Sequence, residues 1–340
     1  MACTGAPRTP VRPRTREIID PRLHVCLAYP LLEANRSTIE SIRRVTFTYG
    51  SSDVHKLDVY YPSLSGSGDG LPPILIFFYG GGLVRGARSS PPSNLVHNNL
   101  GAFFASRGIL VVIPDYRFVP GITFPQGSED VRDAIEWTIK NVAEGDSNRV
   151  FLLGHSAGGL HLASYLLLPS LFLSSSALGC VRGVILMGVP CEISPSRPQF
   201  YSVAQTYYGN ARKVAANYPL SLLRRAYESH ILSLPPFWNV MAGSEPRAIS
   251  VSMQTFTREF KSRGGTIEEF VLEGHDHLSP ILALSSGSGE DWGLDVVRWI
   301  IGGLYNEAAA TMDLSHHAPP TTAEDTNHPS AVLDLPALNI

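Results

Sequence analysis

The chain has 340 residues and a formal net charge of -3, with 44% hydrophobic and 17% charged residues. This length is enough for one large α/β domain with a sizeable core. The slight negative charge argues against nucleic acid or an anionic membrane as the main partner, because both select basic surfaces. The sequence also lacks an apolar run of the roughly 18 residues that a membrane span requires.

The first 20 residues contain arginines and prolines but lack the apolar segment of a secretory signal. Because the prolines would also break the amphipathic helix of a transit peptide, we expect a disordered leader over 1–20 and a cytoplasmic protein. The four cysteines do not have the spacing of a metal site or a CxxC pair, which indicates reduced thiols. They are Cys3, Cys26, Cys180 and Cys191.

Residues 21–43 are expected to be helical or irregular, and two strands of a hairpin should follow. In RVTFTYG and HKLDVYYP, apolar residues alternate with polar ones, as in half-exposed strands. Four later segments are continuous apolar runs, which predict strands buried on both faces of a parallel sheet. These runs cover residues 73–79, 108–116, 149–154 and 181–189.

A helical pattern over 128–142 lies between two of these runs, with Ser128 as its predicted N-cap. The alternation of strands and helices predicts an α/β protein with a mostly parallel central sheet and helices on both faces. It resumes in the strands 236–243 and 266–274, the helix 251–264 between them and a last amphipathic helix from Asp291.

The alternation lapses over about 191–236, which we interpret as an insertion above the sheet or, alternatively, as an irregular crossover. Its aromatic and apolar residues could line a substrate pocket or form the insertion's own core. They are Phe200, Tyr201, Tyr207, Tyr208, Tyr218 and Leu222. The predicted domain covers 21–307 with this insertion, and a polar, flexible tail is expected over 308–340.

Gly154, Ser156 and Gly158 form a G-x-S-x-G motif between an apolar strand and a helical pattern. In that context the motif predicts a strained strand-to-helix turn that projects the Ser156 hydroxyl above the sheet. Larger residues at the two glycine positions would collide with the turn. The alternative is a tight turn without chemistry, such as one that binds phosphate, but the flanking elements favour a nucleophile.

The motifs LDVYYP, ILIFFYGGGLVRG, GHSAGG, MAGSEP and GHDHLSP follow one another over about 45–305. On these motifs the chain resembles the α/β-hydrolase superfamily, in its esterase/lipase branch of hormone-sensitive lipase-like carboxylesterases and kynurenine formamidases. The resemblance implies an α/β-hydrolase fold with a cap over the C-terminal ends of the strands. It also implies acyl-enzyme chemistry without a cofactor or metal.

The resemblance further implies an oxyanion hole. In the family the glycine loop reads HGGG and its amides point at the oxyanion, which assigns Gly81 and Gly82 here, with the amide of Ala157 as third donor. Tyr79 stands where the family has histidine, a residue that orients the loop. The family's D-Y-R segment likewise implies that Asp115 and Arg117 form an ion pair that supports this loop.

Two histidines compete for the role of the base, His275 and His277 in LEGHDHLSP. In the family the base commonly stands three residues after a glycine, which selects His277 after Gly274. His275 would then be a neighbour or a substrate contact. Two histidines around an aspartate could also indicate a metal site, but the sequence offers no second cluster of ligands.

For the acid that orients the base, the resemblance selects Glu245 in AGSEP, with the rival Asp276 badly placed beside the base. Glu245 could also be an ordinary turn carboxylate. Of the other histidines, His155 is expected beside the nucleophile and His161 in the core. The remaining ones are expected on the surface or in loops (His55, His97, His230) and in the tail (His316, His317, His328).

Together these residues predict an intracellular serine hydrolase with a Ser-His-Glu triad that cleaves a carboxylic ester of a small or medium-sized metabolite. Alternatives with the same chemistry are an arylformamidase and a lactonising or transacylating enzyme of specialised metabolism. An alternative of another class is a non-catalytic ligand-binding protein of this fold, which Tyr79 keeps open. The expected partner is a small-molecule acyl substrate, and a homodimer is compatible with the fold.

Overall fold

A computed structural model describes residues 21–63, 70–91 and 93–314 of the chain. The chain separates into two units, Met1–Ile300 and Ile301–Ile340. The first contains every described strand, and the second is described only where it forms the end of the last helix, which reaches Leu314. The predicted leader over 1–20 lies outside the described residues, as does the predicted tail beyond Leu314.

The described strands form one eight-stranded sheet in the order β1-β2-β4-β3-β5-β6-β7-β8. Strands β1 and β2 form the predicted antiparallel hairpin, β2 is also antiparallel to β4, and all other neighbours are parallel. The strands are β1 Arg44–Thr48, β2 Lys56–Tyr60, β3 Pro73–Phe78, β4 Leu110–Pro114, β5 Asp146–His155, β6 Val181–Met187, β7 Phe237–Ser244 and β8 Ile267–Asp276.

Helices occupy most connections between these strands, and none of the described ones combines the length and apolarity needed to cross a bilayer. They are α1 Pro21–Ala34, α2 Arg36–Glu40, α3 Asn98–Ala105, α4 Gln126–Asn141, α5 Ser156–Leu167, α6 Pro169–Phe172, α7 Pro198–Tyr208, α8 Ala211–Asn217, α9 Pro219–Arg225, α10 Glu228–Ser233, α11 Arg247–Ser262, α12 Ser279–Ala283 and α13 Asp291–Leu314.

The central strands are buried on both faces, which explains their unbroken apolar sequences. On one face, Ile74 and Ile76 of β3 belong to the same core as residues of α4, α5 and α11. On the other face, the ring of Phe77 contacts His97 just before α3, and Phe151 contacts Trp299 of α13. The prediction of a mostly parallel sheet with helices on both faces is confirmed.

Between β6 and β7 the chain forms the four short helices α7–α10. Asn210 caps α8, since its side chain accepts a hydrogen bond from the backbone amide of Lys213 at 2.9 Å. Tyr207, Tyr208 and Leu222 are buried in the main core instead of facing an open pocket. These three residues therefore neither line an open pocket nor form a separate core of the insertion, because they pack with residues of the sheet.

Two local predictions are wrong, and both fail at helix α4. The helix begins at Gln126, so Ser128 is not its N-cap; its buried hydroxyl donates to the carbonyl oxygen of His161 at 3.0 Å. Arg117 does not pair with Asp115 but with Asp130 of α4, at 2.5 Å. Because Asp130 is fully buried, it needs a charged partner to offset its lost hydration, and Arg117 supplies it.

His55, His97 and His230, expected on the surface or in loops, are all buried. His55 and His97 do lie in loops, but His230 lies in helix α10. Burial lowers the pKa of His97 to about 4 and that of His161 to about 4, because an imidazolium loses its hydration there. Both side chains are therefore neutral in the folded protein at neutral pH.

This burial predicts a loss of stability in mild acid. In the unfolded chain, His97 and His161 bind protons below their ordinary pKa of about 6.5. In the folded chain they stay unprotonated until the pH falls to about 4. The free energy of unfolding should therefore fall as the pH decreases from about 6.5 to about 4, by on the order of 3 kcal/mol for each such histidine. Urea unfolding across this pH range measures the slope.

The variant His97→Asn tests the contribution of one histidine. His97 has a positive φ of 72°, a conformation that asparagine tolerates, and the asparagine amide can replace the hydrogen bond from Nδ1 to the carbonyl oxygen of Ala87. We expect the pH slope of the unfolding free energy to decrease by about one proton. An unchanged slope would show that His97 is protonated alike in both states.

Candidate active site

Ser156 stands at the turn between β5 and α5, and its backbone is strained. Its φ is 52°, in the left-handed region that residues other than glycine rarely occupy. The turn is tight, because a Cβ atom on Gly154 would lie 2.6 Å from the Cα of Gly159. A Cβ atom on Gly158 would overlap the carbonyl oxygens of Phe78 and Tyr79. The glycines of the motif are thus required by close backbone contacts.

Three predicted site residues form a continuous line of hydrogen bonds. Ser156 Oγ lies 3.0 Å from His277 Nε2, and His277 Nδ1 lies 2.5 Å from Glu245 Oε1. His277 directly follows β8 and Glu245 directly follows β7, so the parallel sheet brings them to the strand edge where Ser156 follows β5. The Glu245 side chain is only 2% exposed, and that of His277 is 22% exposed.

Gly188, which follows β6, leaves the space that this arrangement needs. A Cβ atom there would lie 2.9 Å from His277 Nδ1 and 3.2 Å from Glu245 Oε2. Its φ of 58° also favours glycine. Gly188 lies inside the apolar run 181–189 that predicts this strand, so no local signal in the sequence showed that the strand ends before it.

The rival residues beside His277 have other partners. Nδ1 of His275 lies 3.1 Å from the hydroxyl oxygen of Ser279. Oδ1 of Asp276 accepts hydrogen bonds from the backbone amides of Leu278 and Ser279, both at 2.9 Å. Asp276 therefore shapes the turn before α12. In the part of the chain that the structure describes, no three histidine, cysteine or acidic side chains are placed to hold a metal ion.

His155 connects the serine turn to the loop of the histidine. Its Nε2 lies 2.8 Å from the backbone carbonyl oxygen of His277, to which it donates a hydrogen bond. Burial, reinforced by the nearby His277, lowers the pKa of His155 to about 3, so the ring is neutral at neutral pH. The sequence places His155 beside the nucleophile but could not identify this acceptor, because any residue supplies a backbone carbonyl.

The glycine loop after β3 lies directly beside the serine turn. A Cβ atom on Gly80 would lie 2.9 Å from the Cβ of Ser156. Gly81 and Gly82 have φ values of 147° and 64°, which favour glycine over other residues. Ala157 is buried in the first turn of α5. The structure thus places Gly80, at the start of the loop that holds Gly81 and Gly82, beside Ser156, and Ala157 directly after it.

The loop support differs from the expected ion pair between Asp115 and Arg117. Asp115 instead accepts hydrogen bonds from the Tyr79 hydroxyl, at 2.7 Å, and from Arg88. The sequence could not predict that Arg88 pairs with Asp115, because a lone arginine in a loop carries no local signal of its partner. Asp115 does contact the segment that carries the loop, as expected, but through a different arginine.

Comparisons with known proteins find relatives by sequence and by fold. The family model described as BD-FAE matches residues 57–169. An isoprenylcysteine alpha-carbonyl methylesterase of Arabidopsis thaliana is 34% identical over 131 residues, which are 38% of this chain and 28% of that protein. A probable isoprenylcysteine alpha-carbonyl methylesterase of Oryza sativa subsp. japonica is 35% identical over 270 residues, which are 74% of this chain and 61% of that protein.

Among solved structures, esterase B from Lactobacillus rhamnosis superposes with a TM-score of 0.66 at 17% sequence identity. The match covers 86% of this chain and 98% of the esterase, so the two share their fold over almost the whole of that protein. The curated relatives are only partly covered, since this chain spans less than two thirds of the length of either methylesterase.

Proposed function

Because this chain belongs to the esterase branch of the α/β-hydrolase superfamily, we propose that it is a serine hydrolase that cleaves a carboxylic ester of a small or medium-sized metabolite. The proposal assigns Ser156 as nucleophile, His277 as general base and Glu245 as the acid that orients the base. The observation that supports it most directly is the continuous line of hydrogen bonds through these three side chains.

Acylation begins when the Ser156 oxygen attacks the ester carbonyl carbon while His277 Nε2 takes the hydroxyl proton. The imidazolium that forms is stabilised by the carboxylate of Glu245, which lies 2.5 Å from Nδ1. That hydrogen bond also fixes the tautomer, so that Nε2 faces Ser156 without a proton. Collapse of the tetrahedral intermediate breaks the C–O bond, and Nε2 gives its proton to the departing alkoxide.

Deacylation repeats these steps with water. His277 takes a proton from the water as its oxygen attacks the acyl carbon, and the Ser156 oxygen leaves as that proton returns to it. The products are a carboxylic acid and an alcohol. In both halves the carbonyl oxygen carries a negative charge, and we assign its stabilisation to the backbone amides of Gly81, Gly82 and Ala157. The N-terminal end of α5 adds a positive dipole end there.

The relatives favour ester cleavage over the alternatives considered from the sequence. The two curated relatives described above are methylesterases by name, and the solved neighbour is an esterase. The matched segments cover 28% and 61% of these two relatives. The proposal therefore concerns the bond that is cleaved, a carboxylic ester.

A panel of p-nitrophenyl esters with acetyl, butyryl, octanoyl and palmitoyl groups tests the proposal, with N-formylkynurenine assayed in parallel. We expect ester hydrolysis, with a preference among acyl chains that measures the space beside Ser156. An alkyl phosphonate should inactivate the protein with one adduct per chain, located by peptide mass spectrometry on the peptide that contains Ser156. Labelling at another residue, or folded protein without hydrolysis or adduct, would contradict the proposal.

A further inference from the structure

The short helix α12 follows directly on the turn that contains His277. It begins at Ser279, two residues after His277, and has only five residues. Helices shorter than roughly 12 residues are not stable in isolation, so neighbouring elements must hold α12 in place. Asp276 fixes its start, because Oδ1 accepts hydrogen bonds from the amides of Leu278 and Ser279. The position of His277 therefore also depends on what fixes the far end of α12.

Asn99 of α3 fixes that far end. Asn99 is fully buried, and its Nδ2 donates hydrogen bonds to the backbone carbonyl oxygens of Ile281 and Leu284, both at 2.8 Å. Carbonyl oxygens at the C-terminal end of a helix lack a partner within the helix, and here one amide group satisfies two of them. The Ser285 hydroxyl adds a third hydrogen bond, to the backbone carbonyl oxygen of Asn99 at 2.9 Å.

The Asn99 amide can make this contact in one orientation only. Within the described residues its Oδ1 has no hydrogen-bond partner, so the amide serves here as a double donor. A reversed amide would place Oδ1 against two carbonyl oxygens, which cannot donate. Helix α3 gives the donor a fixed base, since all eight of its residues are buried. From α13, Trp292 Nε1 donates to the carbonyl oxygen of Pro280 at 3.1 Å, so a second helix also holds α12.

We propose that Asn99 is a positioning residue for the base, which fastens the end of α12 and thereby keeps His277 within reach of Ser156. The inference rests on the proposed function. Proton transfer requires that His277 Nε2 stay within hydrogen-bond distance of Ser156 Oγ, and the two atoms lie 3.0 Å apart. Without the two hydrogen bonds from Asn99, α12 and the turn before it are free to shift. A displacement of about 1 Å at the reacting atoms can cost on the order of 100-fold in rate.

The variant Asn99→Leu removes both donors and keeps a side chain of similar size. On the best ester of the panel, we expect kcat/KM to fall roughly 10- to 100-fold, mostly through kcat, because His277 is less often aligned with Ser156. KM should change little, since Asn99 does not contact the substrate. Hydrogen exchange followed by mass spectrometry should be faster in the peptide over 278–286, because the end of α12 has lost its partners.

A double-mutant cycle tests whether Asn99 acts through His277. The variant His277→Gln removes the proton acceptor, so the position of the side chain no longer matters for proton transfer. Introducing Asn99→Leu into this variant should therefore lower the remaining kcat/KM by no more than about twofold. A role in folding or in substrate binding would instead lower kcat/KM by the same factor with and without His277.

Asn239→Leu is the matched control. Asn239 of β7 is also fully buried, and its Nδ2 donates to the carbonyl oxygen of Met253 at 3.0 Å and to Thr257 Oγ1 at 2.6 Å. Its Oδ1 likewise has no partner within the described residues. Both substitutions leave buried polar groups unpaired and should lower thermal stability to a similar extent. Because these partners lie in α11, Asn239→Leu should keep its kcat/KM within about twofold.

If Asn99→Leu does not fold, Ser285→Ala tests the same contact by removing its third hydrogen bond. We then expect kcat/KM to fall roughly two- to fivefold in the presence of His277 and not to fall further in His277→Gln. Full activity of Ser285→Ala would in that case overturn the inference.

Three results with folded Asn99→Leu would also overturn the inference. These are an unchanged kcat/KM, an equal loss of activity in Asn239→Leu, and the same loss with and without His277. Failure of the underlying function has a different signature, because hydrolysis would then survive in Ser156→Ala. An inactive Ser156→Ala together with a fully active Asn99→Leu would reject the positioning role of Asn99 alone.

Discussion

Replacement of Ser156 by alanine is expected to lower kcat by roughly 10³- to 10⁶-fold on the best ester of the panel. The substitution removes the oxygen that attacks the carbonyl carbon, and His277 then has no hydroxyl to deprotonate. Residual hydrolysis above the rate in water would come from the oxyanion donors and from substrate binding. Steady-state kinetics and the loss of the phosphonate adduct measure the two consequences separately.

Ser164→Ala is the matched control for this experiment. Ser164 lies in the same helix, α5, and is fully buried, and within the described residues its hydroxyl has no hydrogen-bond partner. The control should therefore keep full activity and lose no stability. If Ser156→Ala kept more than about a hundredth of the wild-type kcat while folded, another group would have to be the nucleophile.

The sequence predicts the serine turn well because its constraints are local. Gly154, Ser156 and Gly158 lie within five consecutive residues, and the close contacts that require the glycines arise from the turn itself and from the loop beside it. The parallel strands can also be predicted from the sequence, because their burial on both faces requires unbroken apolar runs such as residues 73–79. The positions of His277 and Glu245 after the last two strands come from the family resemblance.

Partners that are distant in sequence could not be predicted. Arg117 lies near Asp115 in sequence, yet it pairs with Asp130, and Asp115 pairs with Arg88. The choice among these charges depends on which carboxylates the packing buries, and no local pattern records it. The burial of His97 could not be predicted either, because the partner on which its ring packs, Tyr79, is distant in sequence.

The structure gives physical reasons to prefer Glu245 over Asp276 as the acid that orients His277. Asp276 precedes His277 directly, and its carboxylate oxygen Oδ1 is occupied by the amides of the following turn. Glu245 reaches His277 from the neighbouring strand β7, in a position where its side chain is almost fully shielded from water. Low exposure strengthens its attraction to an imidazolium, which is what an orienting acid must provide.

The base is tested most sharply by the pair His277→Gln and His275→Gln. For His277→Gln we expect kcat/KM to fall roughly 10³- to 10⁴-fold, because the amide cannot accept the Ser156 proton. His275→Gln should stay within a few-fold of wild type, since His275 Nδ1 is close to Ser279 and its contacts shape the turn. Both are measured on the best ester of the panel, with thermal unfolding as the check on folding.

This comparison is decisive because both histidines lie at the end of β8 but contact different residues. The His275 ring lies beside Ser279, whereas the His277 ring lies between Ser156 and Glu245. A large loss in His275→Gln with an active His277→Gln would reverse the assignment of the base, which the sequence leaves open between them. A large loss in both folded variants would mean that the turn itself, held by Asp276 and Ser279, sets the position of His277. Loss in His277→Gln alone would assign proton transfer to the imidazole that lies 3.0 Å from Ser156.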